Sequence, residues 1–198
     1  MPAFDPASVT VAVLAGGAGS RLGGRDKGLQ LLGNKPLVAH VVDALSGQAA
    51  SILICINRND TAYAPYGVLV RDAESGFRGP LAGIAAAVHV CASTLLLTVP
   101  VDCPRPPSDL AARLHAALQA RPEGVAVVHD GTRREPLFAL YRREQASSVS
   151  AALRRDLPVW RWQDEIGAVE VGFADVADRF GNLNTADEFR AWENDRHG

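Results

Sequence analysis

Lysine is nearly missing from this chain. Of the 20 Lys and Arg residues among its 198, only Lys27 and Lys35 are lysines. Arginine serves almost everywhere else, so these two places call for a compact, flexible ammonium rather than a planar fork. Cysteine is sparse too: Cys55, Cys91 and Cys103 are too few, odd in number and too scattered for a disulfide framework or a zinc site. No apolar run approaches the roughly 18–20 residues that span a bilayer. The opening MPAFDPASVT lacks the basic and apolar regions of a signal peptide, and a cytoplasmic location is expected. Neither sign of charge dominates: the formal net charge of -2 gives no reason to invoke a nucleic acid or an anionic membrane as partner. Internal repeats, low-complexity tracts and Ser/Gly linkers are also lacking. With 47% apolar and 21% charged residues the composition is that of an ordinary globular protein. One domain over residues 1–198 is expected, burying on the order of 70% of its unfolded surface, with residues 1–8 as a flexible N-terminal extension.

What is present is concentrated in VTVAVLAGGAGSRLGGRDKGLQLLGNKP, residues 9–36. A β-branched run (Val9, Val11, Val13, Leu14) stops abruptly at Gly16-Gly17, and a loop rich in Gly, Arg and Lys follows. A strand feeding such a loop offers backbone N–H groups where Cβ atoms would block close approach. With Arg21, Arg25 and Lys27 nearby, the result is a concavity suited to a polyphosphate. The alternative for the glycines is a plain surface turn, and for Lys27 a solvated charge; the strand-to-loop context favours phosphate. A Walker A motif fails, because Arg25-Asp26 follow Gly24 where Lys-Ser/Thr should stand. A dinucleotide fingerprint from Gly17 fails at Leu22. The pattern L-A-G-G-x-G-x-R-L-G-x-x-K, from Leu14 to Lys27, looks like that of nucleotidyltransferases that activate sugars, alcohols and cofactors with a nucleoside triphosphate.

Along the rest of the chain, short β-rich runs alternate with helical periods, which predicts an α/β layer fold. Pro36 is expected at the first position of a helix carrying Leu37, Val38, Val41, Val42 and Leu45. Strands are predicted at residues 51–56, 68–71, 94–99, 125–129, 137–141 and 169–173. Residues 94–99, the most apolar run, should be central. Asn57 and Asn59, at a strand end, either turn the chain or touch a base. Gly79, behind Arg78 and before a helix starting at Pro80, marks a second candidate anion site. Asp102, at the end of the central strand between two prolines, suits Mg²⁺ bridging substrate phosphates, an ion that takes only one or two protein carboxylates. Cys103 reads as a small buried filler. Ser108-Asp109 should cap the helix of Leu110, Leu114 and Leu118. An Asp130-Gly131 turn joins two strands as a hairpin. Its His129, Arg133, Arg134 and Glu135 either hold an anionic acceptor or form a solvated tip. Trp160 and Trp162 read as packing residues, and Thr185 with Glu188 as a capping box. Asn182 and Asn184, just before that helix, either turn the chain or contact phosphate or Mg²⁺.

Together LAGGAGSRLGGRDKG, Asp72, GPLAG (79–83), PVDCP (100–104), the REPLFALY strand and NLNT (182–185) make the chain resemble the molybdenum cofactor guanylyltransferases along almost its whole length. The resemblance implies a Rossmann-like three-layer α/β/α sandwich with a mostly parallel central sheet. It implies transfer of GMP from GTP to molybdenum-bound molybdopterin, with pyrophosphate released and Mg²⁺ as cofactor. Proteins that deliver or accept the molybdenum cofactor would be partners. By the same carry-over Leu14, Ala15 and Gly16 hold the nucleotide, Lys27 the phosphates, Asp72 the guanosine part and Asp102 the metal. One departure stands out: such proteins often have Asn where this chain has Cys55, and Asn57, two residues on along the same strand face, is the candidate substitute. Other readings of the loop are a molybdopterin cytidylyltransferase, a sugar-nucleotide pyrophosphorylase, or a non-catalytic nucleotide-binding module.

Overall fold

The computed structural model describes residues 3–16, 26–72, 79–121 and 124–195. Gly17 and Arg21 of the phosphate loop, with the rest of residues 17–25, and Arg78 lie outside the described residues.

The apolar runs form strands where they were expected. β1 (Val9–Leu14) leads through a short hairpin, β2 (Leu31–Leu32) and β3 (Lys35–Pro36), into α1 (Leu37–Ala44). Next come β4 (Ser51–Ile56), the one-turn α2 (Asp60–Tyr63), β5 (Val68–Arg71), α3 (Pro80–Val90) and β6 (Leu95–Pro100). Then follow α4 (Leu110–Ala120), β7 (Val125–His129), β8 (Arg134–Arg142), α5 (Ala146–Arg154), α6 (Val159–Glu165), β9 (Ala168–Gly172) and α7 (Ala186–Asp195).

Seven strands make one sheet in the order β5-β4-β1-β6-β8-β7-β9. β8 is antiparallel to both its neighbours, and the other strands share one direction. β6 is the middle strand, and all of its residues are buried. Side chains alternate between the two faces with period two. On β1, Val9, Val11 and Val13 join a core completed by Val38 and Val41 of α1 and Leu110, Leu114 and Leu118 of α4. Ala12 faces the opposite core, with Ile84 and Val88 of α3, Val149 of α5 and Trp162 of α6. Helices therefore cover both faces, giving the mostly parallel three-layer α/β/α sandwich. Each fully buried Val or Leu contributes about 1.5–3 kcal/mol. α7 closes a smaller cluster, with Phe189 and Trp192 on Leu32, Leu37 and Leu183. Among the described residues no helix is long and apolar enough to cross a membrane.

Local expectations needed correction at four places. Residues 3–8 do not trail as a flexible extension. Asp5 accepts from the Ala7 N–H and caps a 3-10 turn, Pro6–Ser8, and Phe4 packs against His115 at 5.6 Å between ring centroids. Pro36 precedes α1 in extended backbone instead of opening it, because it also pairs with Leu31 in the small hairpin. Asp109 occupies the N-cap of α4 without a side-chain cap bond; its carboxylate lies 3.9 Å from Arg113 instead. Trp160 and Trp162 sit on a helix, α6, that their short run concealed: Trp162 is buried and Trp160 half exposed.

Candidate functional site

From β1 the chain moves outward through β4 to β5, and α3 then returns it to β6 on β1's other flank. Such a reversal opens a crevice beyond the carboxyl ends of the strands, where open α/β sheets take ligands. Two polar groupings line it.

The first gathers three residues far apart in sequence. Lys27 Nζ donates to Asp102 Oδ2 at 2.7 Å and to Asn184 Oδ1 at 2.5 Å. Asp102 follows the middle strand, so sheet geometry fixes it; its carbonyl accepts from the Leu183 N–H at 2.9 Å and draws in the NLNT loop. That loop is stiffened from the other side by the capping box. Glu188 accepts from the N–H groups of Asn184 (2.5 Å) and Thr185 (2.8 Å), and Thr185 Oγ1 accepts from the Glu188 N–H at 3.2 Å. An ammonium only donates, so Asn184 turns its amide oxygen to the same point as the carboxylate.

The second grouping lies at the ends of β4 and β5. Asn57 donates through Nδ2 to Asp72 Oδ2 at 2.9 Å and to the Gly16 carbonyl at 3.3 Å. A Cβ on Gly16 would stand 3.1 Å from that amide nitrogen, a tight contact that would push on the Asn57 side chain. Burial raises the Asp72 carboxyl above its ordinary range, and the Asn57 bond offsets part of that. Cys55 is buried against Gly83 of α3, with its thiol pushed up to about 12, by burial first and by Asp72 second. Of the two, Asn57 is the residue that hydrogen-bonds Asp72.

Other predicted site residues take lesser places. The Ala15 N–H donates to the Cys55 carbonyl, and the Leu14 carbonyl accepts from the Val101 N–H with a second lone pair left over. Gly79 has φ of 77°, a conformation that favours glycine, and leads into α3. Asn182 is exposed in the loop just before Leu183. Cys103 is buried with its thiol held up by burial and by Asp102, and it donates to the Arg179 carbonyl at 2.8 Å. It is a filler and not a nucleophile. Arg133 meets Glu135 at 2.6 Å, and Arg134 bridges Asp164 (2.6 Å) and Glu170 (2.8 Å). The Arg134 pairs tie β8 to α6 and β9.

Three residues near the site carried no role in the sequence reading: Asp26, Arg58 and Tyr63. Asp26 sits in the quoted DKG, and an Asp two residues before a Gly is a turn signal; its side chain does accept from the Gly28 N–H, at 3.2 Å. Tyr63 had no local signal. Among the described residues no three His, Cys, Asp or Glu side chains cluster as a metal cage, which leaves a one-carboxylate arrangement of the kind Mg²⁺ tolerates.

Residues 11–169 match the model of the MobA-like NTP transferase domain. The chain is 39% identical over 184 residues to a molybdenum cofactor guanylyltransferase of Shewanella amazonensis, covering 91% of this chain and 93% of that one. It is 39% identical over 196 residues to the enzyme of the same name from Polynucleobacter asymbioticus, covering 96% and 98%. In fold it resembles the crystal structure of molybdopterin-guanine dinucleotide biosynthesis protein A from Archaeoglobus fulgidus, with a TM-score of 0.77 at 22% identity over 95% of this chain and 98% of that one. A nucleotidyl transferase of Methanothermobacter thermautotrophicus is similar at a TM-score of 0.71, 15% identity, and coverage of 96% and 99%. This chain belongs to the MobA-like NTP transferase family.

Proposed function

We propose that this protein transfers GMP from GTP to molybdenum-bound molybdopterin, forming the guanine dinucleotide cofactor and releasing pyrophosphate. The observation that carries this reading is the meeting of Lys27, Asp102 and Asn184 at the end of the middle strand, in a chain whose relatives bear that enzyme's name. The molybdopterin phosphate attacks the α-phosphorus of GTP in line, one P–O bond forms as the bond to the β-phosphate oxygen breaks, and pyrophosphate carries away the electron pair. Such a step needs positioning and charge neutralisation more than a protein nucleophile. Lys27 supplies a mobile ammonium to the phosphates, and Arg21 and Gly17 of the preceding loop are the other residues this reading assigns to them. Asp72 and Asn57 take the guanosine part at the other end of the crevice, with Gly16, Ala15 and Leu14 as its floor. Gly79 and Asn182 are the further residues this reading assigns to the nucleotide.

The donor chemistry fits a hard divalent cation, because two oxygens, one charged and one neutral, already converge on a single cationic point. Asp102, with Asn184 beside it, would hold Mg²⁺, which when bound supplies phosphate charge neutralisation and polarisation worth several kcal/mol. The setting in this proposal is the cytoplasm, and the protein partners are those that deliver and accept the cofactor. The test is pyrophosphate release with Mg²⁺ and molybdenum-loaded molybdopterin, comparing GTP, CTP and ATP. Release with GTP alone is expected. Preference for CTP would make the enzyme a cytidylyltransferase, and silence with every nucleotide would make the chain a binding module.

A further inference from the structure

We propose that Asp26 is a positioning residue for Lys27, and that the buried hydroxyl of Tyr63 is what holds Asp26 in place. The inference rests on the reading of Lys27 given above and adds to it residues that never touch the nucleotide.

Lys27 ends in a four-carbon stem with many rotamers, so its tip is placed well only if its backbone is fixed. The turn that carries it is short, a 3-10 segment Lys27–Leu29. Its anchor is the preceding carboxylate. Asp26 Oδ1 accepts from Tyr63 Oη at 2.5 Å and from the Gly28 N–H at 3.2 Å. Asp26 Oδ2 accepts from Asn59 Nδ2 at 2.9 Å and lies 3.7 Å from Arg58 Nε. The Asp26 side chain is only 9% exposed.

All three side-chain partners come from one stretch, residues 58–63, which begins right after Asn57. The carboxylate therefore ties the phosphate-side turn to the segment that leaves the guanosine-side residue. Two details show that the contact is built for closeness. A Cβ on Gly28 would lie 2.3 Å from Tyr63 Oη and 3.0 Å from Val101 Cγ2, so only glycine lets the turn press onto the tyrosine. Tyr63 is fully buried, and burial together with the Asp26 bond drives its ionisation well above the ordinary phenol range. Its hydroxyl thus stays a donor at every working pH. Burying a carboxylate is costly unless it is fully bonded, and an apolar side chain would fill the same space more cheaply. What the carboxylate adds is direction: several donors fix one orientation of the turn, and Lys27 projects from it to Asp102 and Asn184.

The experiment is a double-mutant cycle on the full chain, measuring kcat and KM for GTP together with thermal melting. A misplacement of about 1 Å costs on the order of 100-fold in rate. Asp26→Asn puts an amide N–H where Asn59 and Arg58 already donate, and is expected to lower kcat about 100-fold. Tyr63→Phe keeps the packing and is expected to lower it about 10-fold, with KM within about threefold. Because both act through Lys27, the pairs Asp26→Asn/Lys27→Ala and Tyr63→Phe/Lys27→Ala should be no slower than Lys27→Ala alone. Losses that multiply would overturn the proposal, as would near wild-type turnover of Tyr63→Phe beside a crippled Lys27→Ala; in either case Lys27 keeps its place. Wild-type turnover of Lys27→Ala would overturn both this proposal and the Lys27 reading. Should Asp26→Asn fail to fold, the Tyr63→Phe cycle, in an isosteric variant, decides alone.

Discussion

The two lysines of the chain each meet one aspartate, in regions that differ in everything but the chemical pair. Lys27 reaches Asp102 across 75 positions of sequence, in the crevice at the end of the middle strand, with both side chains about one-fifth exposed (21% and 20%). Lys35 meets Asp43 only eight positions away, on the surface of α1, with 45% and 62% of the side chains open to water. A surface pair is screened and contributes about 0–1 kcal/mol. The same pair partly withdrawn from water interacts more strongly, and at Lys27 a second oxygen, from Asn184, faces the ammonium. The difference is made by where the partner comes from. The local pair is decided by the short step from β3 into α1 and stays wet, whereas the long-range pair forms only when the sheet is complete and then stands inside its cleft.

Breaking the crevice pair should have the largest consequence. Asp102→Ala is expected to lower pyrophosphate release about 1,000-fold or more while melting stays close to wild type; turnover within tenfold of wild type would remove Asp102 from the site. Lys27→Ala should follow, losing about 100-fold in kcat/KM, or about 2.7 kcal/mol of transition-state stabilisation.

Asp72 sharpens the comparison, since it is half-buried and has an amide beside it instead of a cation. Burial raises its pKa above the ordinary 3.8. A raised carboxyl favours the protonated folded state, so its contribution is fully present below the ordinary value and is lost as pH rises through the raised one. Asp72→Asn should therefore melt higher than wild type at pH 7, with the gap closing as pH falls below the usual carboxylate range. It should also weaken GTP binding by about 1.5 kcal/mol, the worth of one charge-assisted hydrogen bond, as read by equilibrium titration. The smallest effect belongs to Lys35→Ala, which should leave kcat/KM unchanged and stability within about 0.5 kcal/mol, by steady-state kinetics and denaturant unfolding. A large loss there would erase the distinction between the two lysines.

The hairpin offers a further case of charges that look alike in sequence. His129, Arg133, Arg134 and Glu135 read equally as an anion site or a solvated tip. In the structure Asp164 of α6 and Glu170 of β9 pair with Arg134. Nothing within the hairpin itself announces those neighbours.

The sequence by itself determined what short-range chemistry decides. Runs of Val, Leu and Ile set the strands, because alternation and burial act along a few residues. The abrupt stop at Gly16, the Thr185–Glu188 capping box and Asp102 at the end of the most apolar run were all readable for the same reason. Only the tertiary structure decided partners. Asn184 comes to Lys27 from 157 positions away, Tyr63 bonds Asp26 from 37, and Asn57 meets Asp72 from 15. Hydrogen bonds and ion pairs are chosen by proximity across the sheet, and that proximity exists only after the strands have taken their order.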